Sequence, residues 1–159
     1  MAAKAAAAPW PSRWRRSSCK AESKDGIHWT RPELGIFEFE GSKKNNIIWM
    51  VQASGGKQLY DGSFVPFRDI NPNCKPDARY KTFARQWSLL DGGLGLNVFK
   101  SRDGIHWSLM HDKPVITDGQ FDTANVGFWD ELRGRYVALY RDVGRGMASG
   151  GGYHFPDGY

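Results

Sequence analysis

Two aspartates carry the chemistry most legible in this sequence. Asp69 sits in Phe67-Arg68-Asp69-Ile70-Asn71 and Asp122 in Phe121-Asp122-Thr123-Ala124-Asn125, 53 residues apart by the aspartates and 54 by the asparagines. A carboxylate that recurs in similar surroundings can act as base, nucleophile or electrostatic stabiliser, and its protonated form can deliver a proton. The asparagines add amide groups that both donate and accept hydrogen bonds. The same residues also have a conformational reading, because Asp before Asn or Thr is a common strand-end turn residue.

Other reactive side chains give less. His28 and His106 suggest a metal pair, but they occupy equivalent places in a repeated word, where packing or a turn hydrogen bond is the expected role. His111 and His154 have no partner at ligand spacing, and neither Cys19 nor Cys74 has a second cysteine or histidine suitably placed. No metal, cofactor or disulfide framework is expected. Nothing marks a nucleophile elbow or a base beside Cys74, so serine and cysteine hydrolase arrangements gain no support. The glycine runs at 92–95 and 144–152 lack the Lys-Ser/Thr that completes a phosphate loop.

The elements that must hold the aspartates announce themselves by repetition. Ser23-Lys24-Asp25-Gly26-Ile27-His28-Trp29-Thr30 returns as Ser101-Arg102-Asp103-Gly104-Ile105-His106-Trp107-Ser108, identical at six of eight positions. The Asp-Gly step belongs where a strand reverses, since glycine takes positive φ and the aspartate can bond its own turn. The tryptophan after it is expected to anchor the next strand. Arg79-Tyr80 and Arg135-Tyr136 echo each other 56 residues apart. A period in the fifties suits one four-stranded propeller blade. The 78-residue spacing of the Asp-Gly word then implies an insertion, placed at the Gly-rich stretch Ala53–Ser63.

The coarse strand reading follows from short apolar runs bounded by Gly, Asp, Asn or Pro. Val65–Asn71 and Ala124–Trp129 are first strands, Arg79–Arg85 and Arg135–Arg141 second strands, and Leu96–Lys100 a third, with a turn at Asp130–Gly134. Asn45–Val51 is a further strand. Nineteen glycines, 14% aromatic residues and no long 3.6-residue periodicity agree with a mostly β chain. Trp49, Trp87 and Trp107 are expected in the core or between blades rather than as sugar platforms.

The net charge of +5 is concentrated in the first twenty residues, which hold Lys4, Arg13, Arg15, Arg16 and Lys20 and no acid, whereas the remainder holds 17 basic and 17 acidic side chains. A neutral body argues against nucleic acid as a partner. No run approaches the roughly 18 apolar residues of a membrane span, so no membrane is expected and the protein reads as soluble, its location undetermined. Residues 1–22 read as a disordered basic leader or a misjudged start, 23–142 as propeller blades, and 143–159 as a Gly-rich loop or truncated terminus.

With the repeats laid out, the stretch from Ser23 to about Asp142 resembles bacterial proteins related to the five-bladed propellers of glycoside hydrolase families 43 and 32. The words that carry the resemblance are Ser-Lys-Asp-Gly-Ile-His-Trp, Gly41-Ser42-Lys43-Lys44-Asn45-Asn46, Pro66-Phe67-Arg68-Asp69-Ile70-Asn71-Pro72, Arg79-Tyr80-Lys81 and Phe121-Asp122-Thr123-Ala124-Asn125-Val126-Gly127-Phe128-Trp129-Asp130. The resemblance implies an all-β fold, a partial β-propeller of about two four-stranded antiparallel blades. It also implies a site at the channel mouth lined by acids of successive inner strands. Asp69 and Asp122 match two such positions as catalytic carboxylates. Glycosidic cleavage passes through an oxocarbenium-like state that carboxylates stabilise while a protonated carboxyl serves the leaving oxygen.

Around those acids, Asn71 and Asn125 would bond sugar hydroxyls, Trp129 would stack on a sugar ring, and Arg68 or Arg141 would orient a carboxylate or bind an acidic sugar. The general acid has no counterpart here, and Glu131 falls in a turn. A non-catalytic propeller module that binds carbohydrate or a protein partner, and an inactive truncated product, are the alternatives. Self-association through exposed blade faces is a further expectation.

Overall fold

The computed structural model describes residues 17–50, 59–60, 64–86, 95–121 and 124–141. Asp122, Trp87, His154, residues 1–16 of the expected leader and the whole 143–159 segment lie outside them. Within the described residues the protein is all-β: nine short strands, one 3-10 turn at Pro76–Ala78 and no α-helix, hence no helix long and apolar enough to cross a membrane.

The strands are β1 (Ser17–Cys19), β2 (Ile47–Met50), β3 (Leu59–Tyr60), β4 (Phe67–Arg68), β5 (Tyr80–Gln86), β6 (Gly95–Ser101), β7 (Ser108–Leu109), β8 (Val126–Asp130) and β9 (Arg135–Leu139). They form three antiparallel sheets: β1-β2, β3 to β7, and β8-β9. None closes on itself. In the middle sheet β3 pairs with the Arg85 end of β5 and β4 with its Tyr80 end, so the two share one edge and the sheet has four strand positions.

Several boundaries depart from the sequence reading. Ordered pairing begins at Ser17, inside the expected leader, because Ser17 and Ser18 lie opposite Met50 and Trp49. The stretch expected to be an insertion contributes β3 to the sheet. The expected first strand Val65–Asn71 is reduced to Phe67–Arg68, since Asp69 turns the chain, and Ala124–Trp129 shifts to Val126–Asp130. The second and third strands stand where sequence put them, to within two residues.

Both faces of the middle sheet are covered, which explains why β5 and β6 are its longest and most buried strands. On one face Ala84 and Phe99 pack against Trp49 of β2, whose ring lies 4.6 Å from that of Phe99 and 5.2 Å from that of Phe64. Trp107 closes the cluster edge-on to Phe64 at 5.1 Å. Aromatic pairs of this geometry contribute roughly 0.5–1.5 kcal/mol each beyond the area they bury. On the other face Phe67 and Phe83 lie over Gly127 of β8, and an apolar cleft of about 480 Å³ runs between the layers beside Val98, Val115 and Ala138.

The two Asp-Gly words fold alike. In each, the serine hydroxyl accepts the glycine amide at 2.8 Å, and one aspartate oxygen accepts the two following amides at 2.8–2.9 Å. The second oxygen meets histidine Nδ1 at 2.7 Å in the first word and 2.8 Å in the second. Gly26 and Gly104 take φ of 77° and 74°, as the turn demands. The His28 ring is the main cause holding the Asp25 carboxyl well below its usual range. At Asp103 burial works against the charge, but the His106 ring and two amides outweigh it. The tryptophans then differ: Trp107 joins the core, whereas Trp29 is 62% exposed and bonds back to the Gly26 carbonyl at 3.0 Å.

The layer contact at Gly127 is testable. A Cβ there would lie 2.7 Å from the Phe67 ring and 2.8 Å from the Phe83 ring, closer than packed carbons approach. Gly127→Ala should therefore destabilise the chain by about 1–3 kcal/mol, seen as a lower urea midpoint. An unchanged midpoint would show that the hairpin does not seat on Phe67 and Phe83.

Candidate functional site

Asp69 follows the edge strand β4 immediately, and its backbone amide still pairs across the sheet, donating to the Arg79 carbonyl at 2.8 Å. The side chain turns inward and is fully buried. Oδ1 accepts the Asn71 amide at 2.9 Å, the local turn bond expected of Asp two residues before Asn. Oδ2 receives the Lys81 ammonium and the Tyr136 hydroxyl, the latter at 2.7 Å.

Lys81 comes from β5 and Tyr136 from β9, so one carboxylate joins the middle sheet to the third. Lys81 Nζ also donates to the Ala78 carbonyl at 3.0 Å and lies 5.4 Å from the centre of the Tyr136 ring. Trp129 packs edge-on against Tyr136 at 4.9 Å.

The electrostatics follow from this burial. Desolvation opposes charge on Asp69, but Lys81, the Asn71 amide and Tyr136 together overcome it, and the carboxyl pKa is lowered. Lys81 behaves reciprocally: burial lowers its pKa, the carboxylate more than restores it, and the net direction is upward. Burial and the adjacent carboxylate raise the Tyr136 hydroxyl. Asp69 is thus held ionised at neutral pH and is unsuited to deliver a proton, its charge being answered by Lys81.

Cys74 Sγ lies 3.5 Å from Lys81 Nζ, which donates to it and is no base. The contact does not create a nucleophile. Lys81 is held protonated, and burial, with the Asp69 carboxylate, pushes the Cys74 thiol up.

Beside Asp69 opens a polar cleft of about 360 Å³ lined by Arg68, Asn71, Cys74, Lys75 and Arg79. Of the expected ligand-binding residues it therefore holds Arg68 and Asn71. Asn71 is partly engaged, since its Nδ2 donates to Tyr136 at 3.1 Å. Asn125 is fully buried and bonds the Phe121 carbonyl at 3.4 Å; it does not line the cleft. Trp129 is half-buried against Tyr136, and Arg141 meets Phe121 through its backbone carbonyl; neither lines the cleft. Among the described residues no group of three His, Cys, Asp or Glu could hold a metal.

The strand register also corrects the repeat. Phe67 lies opposite Lys81 and Arg68 opposite Tyr80, while Phe128 lies opposite Val137 and Trp129 opposite Tyr136. Asp69, paired through its amide with Arg79, therefore matches Asp130, which lies opposite Arg135. It does not match Asp122. Asp130 likewise closes a turn, accepting the Arg133 amide at 3.1 Å. At that same offset of 61 residues the segment 61–69 reads against 122–130 with Asp, Val, Phe and Asp in common, so the counterpart of Asp122 is Asp61. Both of those lie outside the described residues.

Lys81 and Tyr136 are the site residues that sequence reasoning passed over. The repeated Arg-Tyr pair was a signal for Tyr136. Lys81 stands in the word Arg79-Tyr80-Lys81, but nothing in a strand pattern says that an alternate lysine will turn toward a buried acid. Comparison with family models, with curated proteins and with solved structures found no match to the chain.

The ion pair makes a quantitative expectation. Lys81→Met should cost about 3–5 kcal/mol because it strands a buried carboxylate, and adding Asp69→Asn should recover part of that loss. The pH profile has a defined sign. The Asp69 contribution is complete above its unfolded pKa of about 4 and is lost as pH falls through the lower folded value. The Lys81 contribution is complete below its unfolded pKa of about 10.4 and is lost as pH rises through the higher folded value. Urea midpoints measured from acid to alkali should form a plateau that the double variant makes shallower at both ends. A wild-type midpoint in Lys81→Met would refute the pairing.

Proposed function

We propose that this chain belongs to a propeller of the glycoside hydrolase type, acting on glycosidic bonds through carboxylates at the strand ends that face a shared channel. The observation that carries the reading is the environment of Asp69: a carboxylate kept ionised, at the end of an edge strand, beside a polar cleft. Such a group suits the stabilisation of an oxocarbenium-like state, with Asp122 as the second carboxylate of the pair. Arg68 and Asn71 are the cleft residues placed to contact a sugar.

A second reading is a non-catalytic carbohydrate-binding module. It is favoured by the engagement of both Asp69 oxygens with protein donors, which leaves the carboxylate shielded and neutralised by Lys81. The two readings separate on turnover.

Reducing-end release from a panel of oligosaccharides is the test. Asp122→Asn should lower it by about a hundredfold or more while far-ultraviolet circular dichroism stays unchanged, and Asp69→Asn should do so when combined with Lys81→Met, which removes the ammonium that Asp69→Asn alone would strand. Asp61→Asn, at the position that matches Asp122 across the repeat, decides which of Asp61 and Asp69 is its partner. Full turnover in all three variants would remove the hydrolase assignment, and glycan binding without release would select the second reading.

A further inference from the structure

We infer that the cleft beside Asp69 binds an acidic sugar, of which a uronic acid residue is the chemical type. The inference rests on the proposed glycan reading and deepens it by naming the class of sugar. Three cations line this concavity: Arg68 from β4, Arg79 at the entry to β5, and Lys75 ahead of the 3-10 turn. All three are exposed, and among the described residues none has an ion pair or side-chain hydrogen bond.

The neighbouring acids are already matched. Asp69 is bound by Lys81, and Asp77 is bound by Lys100 at 2.5 Å. Arg68 and Arg79 therefore present positive charge that no described acid pairs, Lys75 lying within the field of Asp77, and a concave, partly apolar wall concentrates the field of such charges. Arg68 lies opposite Tyr80, the residue after Arg79, so both arginines sit at the same end of the β4-β5 pairing and line the cleft. Guanidinium forks match the planar oxygens of a carboxylate, and Asn71 stands alongside to meet a ring hydroxyl. A neutral glycan would leave both guanidinium charges unanswered.

Calorimetric titration of the chain with trigalacturonate, arabinotriose and a sulfated trisaccharide tests this. The uronate should bind at least about tenfold more tightly than the neutral sugar, and its affinity should fall as salt rises. The double variant Arg68→Gln/Arg79→Gln should lose that preference with its thermal midpoint kept or raised, because unpaired like charges are removed. Arg133→Gln, whose guanidinium pairs with Asp130 away from the cleft, should keep the preference. Stronger binding of the sulfated sugar than of the uronate would reassign the anion and overturn the uronate assignment. Equal binding of charged and neutral sugars, binding of neither, or a preference that survives the double variant would overturn the inference outright. Turnover of neutral glycans without a uronate preference would end this inference and leave the hydrolase reading; a uronate preference without turnover would do the reverse.

Discussion

The buried contact between Asp69 and Lys81, completed by the Tyr136 hydroxyl, is the constraint on which the arrangement around the cleft depends. It spans three elements: the end of β4, the following strand β5 twelve residues on, and β9 from another sheet. A buried ion pair adds little net stability compared with apolar residues of equal volume, because desolvation offsets most of the attraction. Its effect here is geometric. With the pair formed, the loop after β4 is pinned, the third sheet is seated on the second, and Arg68 and Arg79 are left facing outward.

The same contact explains why one residue carries two roles. Asp69 closes a turn through Oδ1, as its repeat counterpart Asp130 does, and ties sheets together through Oδ2, which Asp130 does not. The loop that follows Asp69 is longer than the one that follows Asp130, and it contains the 3-10 turn, Cys74 and the cationic wall of the cleft. A common hairpin plan has been extended at one copy only. The chemistry gathers where the extension lies.

Much of the architecture was legible in the sequence, for identifiable reasons. The strands β5, β6, β8 and β9 were readable because each is a short apolar run bounded by turn residues, and the Asp-Gly words because the turn needs those residue types. What escaped was the register. Matching Asp69 to Asp122 relied on a shared Phe and Asn, whereas cross-strand pairing tolerates changes in loop length and equates Asp69 with Asp130. The exposure of Trp29 escaped for a related reason: near-identical words acquire different surroundings, Trp107 joining the core and Trp29 lying exposed.

The β8-β9 ribbon has a consequence of its own. One side rests on Phe67 and Phe83, while Val126, Phe128 and Leu139 point the other way and are exposed, and among the described residues neither strand has a further neighbour. Unsatisfied amides and carbonyls along an apolar margin are a template for strand addition. That margin is thus a place where one molecule can add to another, on the side of the ribbon opposite the one that meets Phe67 and Phe83.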